Sequence, residues 1–219
     1  MQEIRTFHPR RGRMTPAHFD ALNRLLPQWQ IPAGTLDVLS LTSGATNAVV
    51  VEIGFGVGDA TIEMAQRDPQ TLIIAIDVHT PGVAQLLLAI ERLGLTNIRL
   101  VHDDAVVFLR QQVPEAALAE IRVFFPDPWP KARHHKRRLI RPELVTLMAQ
   151  RLAPDGILHC ATDWAPYAEV MLEVLAAEPL LTRATPDMGE RRNRPMTKFE
   201  RTGIHQGREV SDLVFRRLV

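Results

Sequence analysis

The sequence predicts an α/β protein built on a doubly wound, mostly parallel sheet whose last strand runs antiparallel. Three observations carry this prediction. From Ala48 onward, apolar runs of strand length alternate with helical patterns, the order expected of strands joined by right-handed helical crossovers. Those runs are apolar at consecutive positions, which suits strands covered by helices on both faces. The final run, Ser211–Leu218, instead alternates, with Leu213, Phe215 and Leu218 set against Asp212 and Arg216.

The elements follow in order. Residues 1–47 hold a helix candidate led by Thr15 and a connection containing Pro and Gly, and we read them as an N-terminal extension. Residues 48–219 form the main domain. Its strands are expected at Ala48–Ile53, Thr71–Val78, Ile98–His102, Ile121–Phe125, Ile157–Ala161 and Ser211–Leu218. Helices are expected at Asp59–Arg67, opening on an acidic cap, and at Pro81–Leu93, with Pro in its first turn and Gly94 after its end. Two more are expected at Arg141–Leu152, followed by Pro154 and Gly156, and at Tyr167–Ala177.

At 219 residues the chain has enough core to need no metal or disulfide staple. Its single cysteine, Cys160, lies in an apolar run and reads as a small core residue of a reducing compartment. No apolar run approaches the roughly 18–20 residues that span a membrane, and the Arg-bearing start lacks the apolar segment of a secretory signal. We therefore expect a cytoplasmic enzyme. The net charge is only +1, yet its distribution is uneven. Lys131, Arg133, Lys136, Arg137, Arg138 and Arg141 stand together with no acid among them.

Two segments carry chemistry. The first is Glu52-Ile53-Gly54-Phe55-Gly56-Val57-Gly58-Asp59, between the first strand and the first helix of the domain. Alternate glycines let the backbone turn tightly and admit a ligand close to the main chain. The spacing is G-x-G-x-G, not the G-x-G-x-x-G that receives a pyrophosphate, and Glu52 would oppose a diphosphate. A carboxylate there suits a cationic ligand, such as the amino group of a methionine moiety or a sulfonium. Asp77 ends the second strand, where doubly wound folds place the acceptor for a ribose diol. Asp103 and Asp104 close the third, where an adenine amino group would be met. Acids in series over a glycine loop point to S-adenosylmethionine, with Glu52, Gly54, Gly56, Asp77 and the Asp103–Asp104 pair at its site.

The second segment is Val123-Phe-Phe-Pro-Asp-Pro-Trp-Pro-Lys-Ala-Arg-His-His-Lys-Arg-Arg138. Asp127 ends a strand, boxed between two prolines, with Trp129 and the basic run directly after it. A rigid carboxylate beside an aromatic ring and a phosphate-attracting cluster suggests chemistry on a nucleic-acid base. Plainer roles exist for each part: Trp129 as a core cap, the basic run as a solvated helix face. His134 and His135 lack a Cys or carboxylate at ligand spacing, so we expect no metal, and His79 and His205 read as structural or solvated.

These blocks together resemble the bacterial tRNA (guanine-N7-)-methyltransferase family. The matching segments are EIGFGVGD at 52–59, IDVHTPGV at 76–83, HDDA at 102–105, FFPDPWPKARHHKRR at 124–138, ATDWAPYAEVMLEV at 161–174 and RPMTKFERTG at 194–203, with RRGR at 10–13. The resemblance implies the seven-stranded, Rossmann-like class I methyltransferase fold. It implies that Glu52, Asp77, Asp104 and Asp127 contact the cofactor or lie beside it. It further implies that Lys131, Asp163 and the loop Thr197-Lys198-Phe199-Glu200 hold the guanosine, and that Arg133, Lys136, Arg137 and Arg138 meet the tRNA backbone. The family's substrate is guanine 46 of the variable loop, and its members include monomers and homodimers. Asp77 stands where the family often has Glu, and Pro130 where His is common.

Guanine N7 carries a lone pair and no proton at neutral pH, so it needs no general base. Catalysis then rests on positioning and on carboxylates that stabilise the cationic product. Asp127 is the first candidate and Asp163, beside Trp164, the second. Phe199 or Trp129 would stack on a splayed base. Two competing readings are a nicotinamide (NAD-dependent) dehydrogenase, separated by cofactor affinity, and a non-catalytic tRNA-binding subunit, separated by the effect of Asp127→Ala.

Overall fold

The computed structural model describes residues 5–7, 12–32, 34, 48–184 and 194–219. Within it, seven strands form one sheet in the order β3-β2-β1-β4-β5-β7-β6. They are β1 (Ala48–Ile53), β2 (Thr71–Ile76), β3 (Ile98–Val101), β4 (Leu118–Phe124), β5 (Leu152–Thr162), β6 (Leu181–Arg183) and β7 (Ser211–Arg217). The first five in sequence pair in parallel. β7 runs antiparallel between β5 and β6, so the antiparallel strand lies inside the sheet and the short β6 forms the edge. Chain order reverses between β1 and β4, and ligands of open α/β sheets bind at the carboxyl ends of the strands flanking such a switch point.

Helices cover both faces. α1 (Pro16–Arg24), α2 (Leu26–Trp29), α3 (Asp59–Arg67) and α4 (Thr80–Leu93) lie on one side; α5 (Ala105–Gln111), α6 (Pro142–Arg151) and α7 (Ala165–Ala177) lie on the other. Strand β2 explains why its sequence is apolar throughout. Ile73 and Ala75 join the core with Ala21, Met64 and Leu87, whereas Leu72, Ile74 and Ile76 join the opposite core with Phe108, Met148 and Tyr167. Leu86 and Leu87 of α4 are fully enclosed, and each such burial stabilises by about 1.5–3 kcal/mol. Thr15 does lead a helix: its hydroxyl accepts from the His18 N–H at 3.3 Å. That helix packs on α4, where Arg24 meets Glu91 at 2.8 Å, and Gln30 bridges to Leu100 of β3.

Three local expectations are corrected. Asp59 is the first residue of α3, and the cap is Gly58 in the left-handed conformation. The basic run, read as a solvated helix face, forms a short 3₁₀ helix of about two turns, Ala132–Arg137. Residues from Thr197 onward form a helix, α8 (Lys198–His205), not a loop. Among the described residues no helix is long and apolar enough to cross a membrane. No group of three or more His, Cys, Asp or Glu among them is placed to hold a metal ion. Cys160 is buried in the core, and burial pushes its thiol well above the usual range.

Candidate active site

The carboxyl edge of the sheet opens into a cavity of about 450 Å³, within the range that takes small ligands. Its floor is the glycine loop after β1. Gly54, Gly56 and Gly58 have φ of 82°, 66° and 86°, a region where other residues are strained. Asp77, just beyond β2, fixes this loop: Gly56 N–H donates to Asp77 Oδ2 at 2.7 Å and His79 N–H to Oδ1 at 2.8 Å. The start of α4 backs the loop so closely that a Cβ on Gly82 would lie 1.8 Å from the Gly56 carbonyl oxygen.

Glu52 lines the cavity from within β1 and is nearly enclosed, accepting from the Thr61 hydroxyl at 2.7 Å. Burial pushes its carboxyl above the usual range; Thr61 and Arg122 oppose this, while Asp77 and Glu120 reinforce it. The acid pair after β3 divides its roles. Asp103 lines the cavity, whereas Asp104 caps α5, with Val106 N–H donating to Oδ1 at 2.8 Å. Of the pair, Asp103 is the one that lines the cavity, while Asp104, expected as a cofactor contact, is placed as the cap of α5.

Asp127 also lines the cavity, on the turn that follows β4. That turn is held in an unusual conformation, because Phe125 and Trp129 on either side have φ of 53° and 45°. Two bulky residues in the left-handed region cost of order 1–3 kcal/mol each and persist only where their surroundings impose them. Here the constraints are visible. Phe125 N–H donates to the Ala161 carbonyl at 2.7 Å, and Trp129 is buried, with the Arg137 guanidinium 5.0 Å over its ring and His134 edge-on. The two prolines restrict the turn further.

More of the lining comes from α8 and from an N-terminal segment that carries no site signal of its own. Thr197 caps α8, its hydroxyl accepting from Glu200 N–H at 3.1 Å. Thr197 and Thr202 line the cavity, as do Thr6 and Phe7. The N-terminal segment reaches the site because Trp129 Nε1–H donates to the Thr6 carbonyl at 3.4 Å. Nothing in the pattern of residues 5–7 signals this, since the contact spans more than a hundred residues.

Other expected site residues lie elsewhere. Asp163 sits just past β5, paired with Arg208 at 2.8 Å and packed under Gly203 of α8. Glu200 is only 2% exposed and faces Arg194, not the cavity. Arg138 is turned inward: its Nε donates to the Pro128 carbonyl at 2.9 Å and its guanidinium lies 4.7 Å over Tyr167. It braces the Asp127 turn and is not exposed to a polyanion, which corrects its place in the backbone-binding set. Trp129, being buried, is corrected from base stacking to the same bracing role. Lys131, Arg133, Lys136 and Arg137 are exposed. Among these cations the His134 imidazole is held below its usual range, by desolvation and by Arg133, Arg137, Lys131 and Lys136. The side chains of Lys198 and Phe199, and the expected basic residues Arg10 and Arg11, lie outside the described residues.

The cavity thus presents an ordered glycine loop, acids from three strand ends and a strained carboxylate turn, with a cationic turn beside it. Such a site can hold a cationic ligand against carboxylates and can receive a polyanion alongside. A family model described as "Putative methyltransferase" matches residues 46–213. The tRNA (guanine-N(7)-)-methyltransferase of Streptomyces avermitilis is 51% identical over 99% of this chain and 76% of that protein. The enzyme of the same name from Nitrosospira multiformis is 47% identical over 98% of this chain and 94% of its own length. Among solved structures, the 16S rRNA (adenine(1408)-N(1))-methyltransferase of Catenulisporales acidiphilia shares the fold, with a TM-score of 0.54 at 14% identity over 84% of this chain and 92% of that one. The chain belongs to the tRNA (guanine-N7-)-methyltransferase family, and it is a methyl-transferring enzyme.

Proposed function

We propose that the chain transfers a methyl group from S-adenosylmethionine to N7 of guanine 46 in the variable loop of tRNA. The observation that carries this reading is the meeting of Glu52, Asp77, Asp103 and Asp127 around one cavity, with exposed cations on the turn that follows Asp127. The residues present fit the cofactor: carboxylates suit its ammonium and sulfonium charges, and the glycine loop is a cradle that side chains would fill. When bound, the cofactor supplies an electrophilic methyl on sulfur, whose transfer moves one positive charge to the purine ring.

The chain's own residues bind and orient. Asp77 and the glycine loop take the ribose end, Asp103 the adenine end and Glu52 the cationic end. Asp127 faces the charge that develops on the base and needs to accept no proton before transfer. Thr197, Lys198, Phe199, Asp163 and Lys131 take the guanosine by family resemblance, with Asp163 leaving Arg208 to do so. Arg133, Lys136 and Arg137 neutralise tRNA phosphates and supply most of the affinity, which makes it salt-dependent. The test is incubation of unmodified tRNA with methyl-labelled cofactor, followed by mapping of the label. A methyl on N7 of guanine 46 is expected; a methyl on an exocyclic amine or a ribose would overturn the assignment.

Glu52 gives the site a pH signature. Its carboxyl titrates above the ordinary value of 4.5 because burial penalises the charged form. A cation held beside it favours the ionised form and lowers that value. Between the lowered value of the complex and the raised value of the free protein, binding therefore releases a proton, and cofactor affinity rises with pH through that window, then levels. Calorimetric titration in buffers of different ionisation enthalpy measures this proton. The release should vanish in Glu52→Gln, and its absence from the unmodified protein would refute the assignment of Glu52 to the cationic end.

A further inference from the structure

A set of buried charges lies behind the cavity wall, and the reaction as described does not use it. Arg194 is its centre, with only 1% of its side chain exposed. Its Nε and Nη2 donate to the two carboxylate oxygens of Asp212 on β7, at 2.9 and 2.7 Å, and its Nη1 donates to Glu200 of α8 at 2.7 Å. Asp212 is also met by His159 of β5 at 2.7 Å. The guanidinium stacks 5.4 Å and 5.3 Å over the rings of Phe124 and Phe125, whose residues line the cavity. Burial works against both charges of the Arg194–Asp212 pair, yet their hydrogen bonds prevail, holding Asp212 below and Arg194 above their usual ranges.

A buried ion pair is weak evidence for stability, because well-packed apolar residues serve as well or better. What the guanidinium offers here is a bridge. Helices usually dock through an apolar stripe, but among the described side chains of α8 only Glu200 is buried, and Arg201, Thr202, Ile204 and His205 are exposed. The Arg194–Glu200 pair and the approach of Gly203 to Asp163 therefore serve as anchors of α8. Thr197 and Thr202 reach the cavity from this same helix. A planar fork satisfies carboxylates on two elements while stacking on two rings; a lysine ammonium does not.

We propose that Arg194 is a positioning residue for methyl transfer. It fixes α8 against the Phe124–Phe125 wall, so that the helix and the Asp127 turn keep one spacing across the cavity. This rests on the proposed function. Its test compares the full-length protein with Arg194→Lys and Glu200→Met, measuring kcat, KM for tRNA and cofactor, cofactor Kd and thermal unfolding. Glu200→Met keeps length and helix propensity, removes the acceptor and leaves the Arg194–Asp212 pair in place, so it decides the matter if Arg194→Lys does not fold.

The expected result is a kcat lower by about tenfold or more in both variants, the scale of a small misplacement. Cofactor Kd should stay within about twofold, since neither Arg194 nor Glu200 lines the cavity; Glu200→Met leaves Arg194 Nη1 buried without its acceptor and should melt lower, so kcat is read well below that melting temperature. Unchanged kcat in Glu200→Met overturns the proposal. So does a kcat loss that merely follows cofactor release and a lower melting temperature. If the unmodified protein itself places no methyl on tRNA, the functional reading fails first; if it does while both variants match it, only the role of Arg194 fails.

Discussion

Replacing Gly82 with alanine should abolish most cofactor binding while leaving a folded protein. The added Cβ would lie 1.8 Å from the Gly56 carbonyl oxygen and 3.0 Å from its carbon, so backbone would have to move. Neither side yields easily. Gly56 is held by its N–H bond to Asp77. The first turn of α4 is pinned by the Gly82 N–H bond to His79 O at 2.9 Å and by Leu86 and Leu87 beneath it. Overpacking of this kind costs about 1–3 kcal/mol, which for a chain of this size lowers Tm by roughly 2–12 °C. The loss at the site should be larger. A displacement of about 1 Å at a positioned group costs on the order of 10²-fold, and here the displaced group is the loop that cradles the ligand. Titration calorimetry with S-adenosylmethionine and a melting curve measure both effects. Wild-type affinity in Gly82→Ala would show that the loop is not the cofactor's cradle.

Asp127→Ala is expected to lower kcat by about 10²–10³-fold, the range seen when one preorganised electrostatic contact is lost, with tRNA binding nearly unchanged. The separation follows from geometry. Asp127 lines the cavity, whereas the exposed cations Lys131, Arg133, Lys136 and Arg137 lie on the turn after it. Phosphate contacts dominate affinity for a polyanion, and this substitution leaves them alone. Asp127→Asn, which keeps the shape and removes the charge, should lose nearly as much if electrostatics dominates. Single-turnover methylation combined with filter binding separates the two quantities. Retained turnover in the alanine variant would favour a non-catalytic role for this carboxylate.

How much of this was legible in the sequence depended on the range of the interaction involved. β1 and α3 occupy the expected spans because a closed apolar run and an amphipathic stretch between Gly58 and Asp68 are local signals. α5 was missed because its AVVFLRQ stretch is too short and too apolar to show a helical period, and its capping Asp104 was read as a ligand contact. β6 has three residues and no pattern of its own; it exists because β7 offers it partners. Thr197 and Glu200 carry the spacing of a capping box, a signal that could have replaced the expected loop with a helix. Only half the box forms, because Glu200 turns to Arg194. The acids that line the cavity, with Asp103 from the Asp103–Asp104 pair, were legible because strand ends place them predictably. Arg194, Thr202, Thr6 and Phe7 were not, because their contacts join distant segments and leave no periodic trace.

The hold of Asp77 on the glycine loop bears on the entropy of binding. Glycines lose more conformational freedom on ordering than any other residue, and fixing each backbone unit costs about 1–2 kcal/mol at 25 °C. Three glycines at alternate positions would otherwise meet that cost when a ligand arrives. Because the Asp77 carboxylate already receives the Gly56 and His79 N–H groups, the freedom is surrendered during folding instead. The ligand then meets a surface that is ordered in advance, and less of its contact energy is spent on ordering the protein.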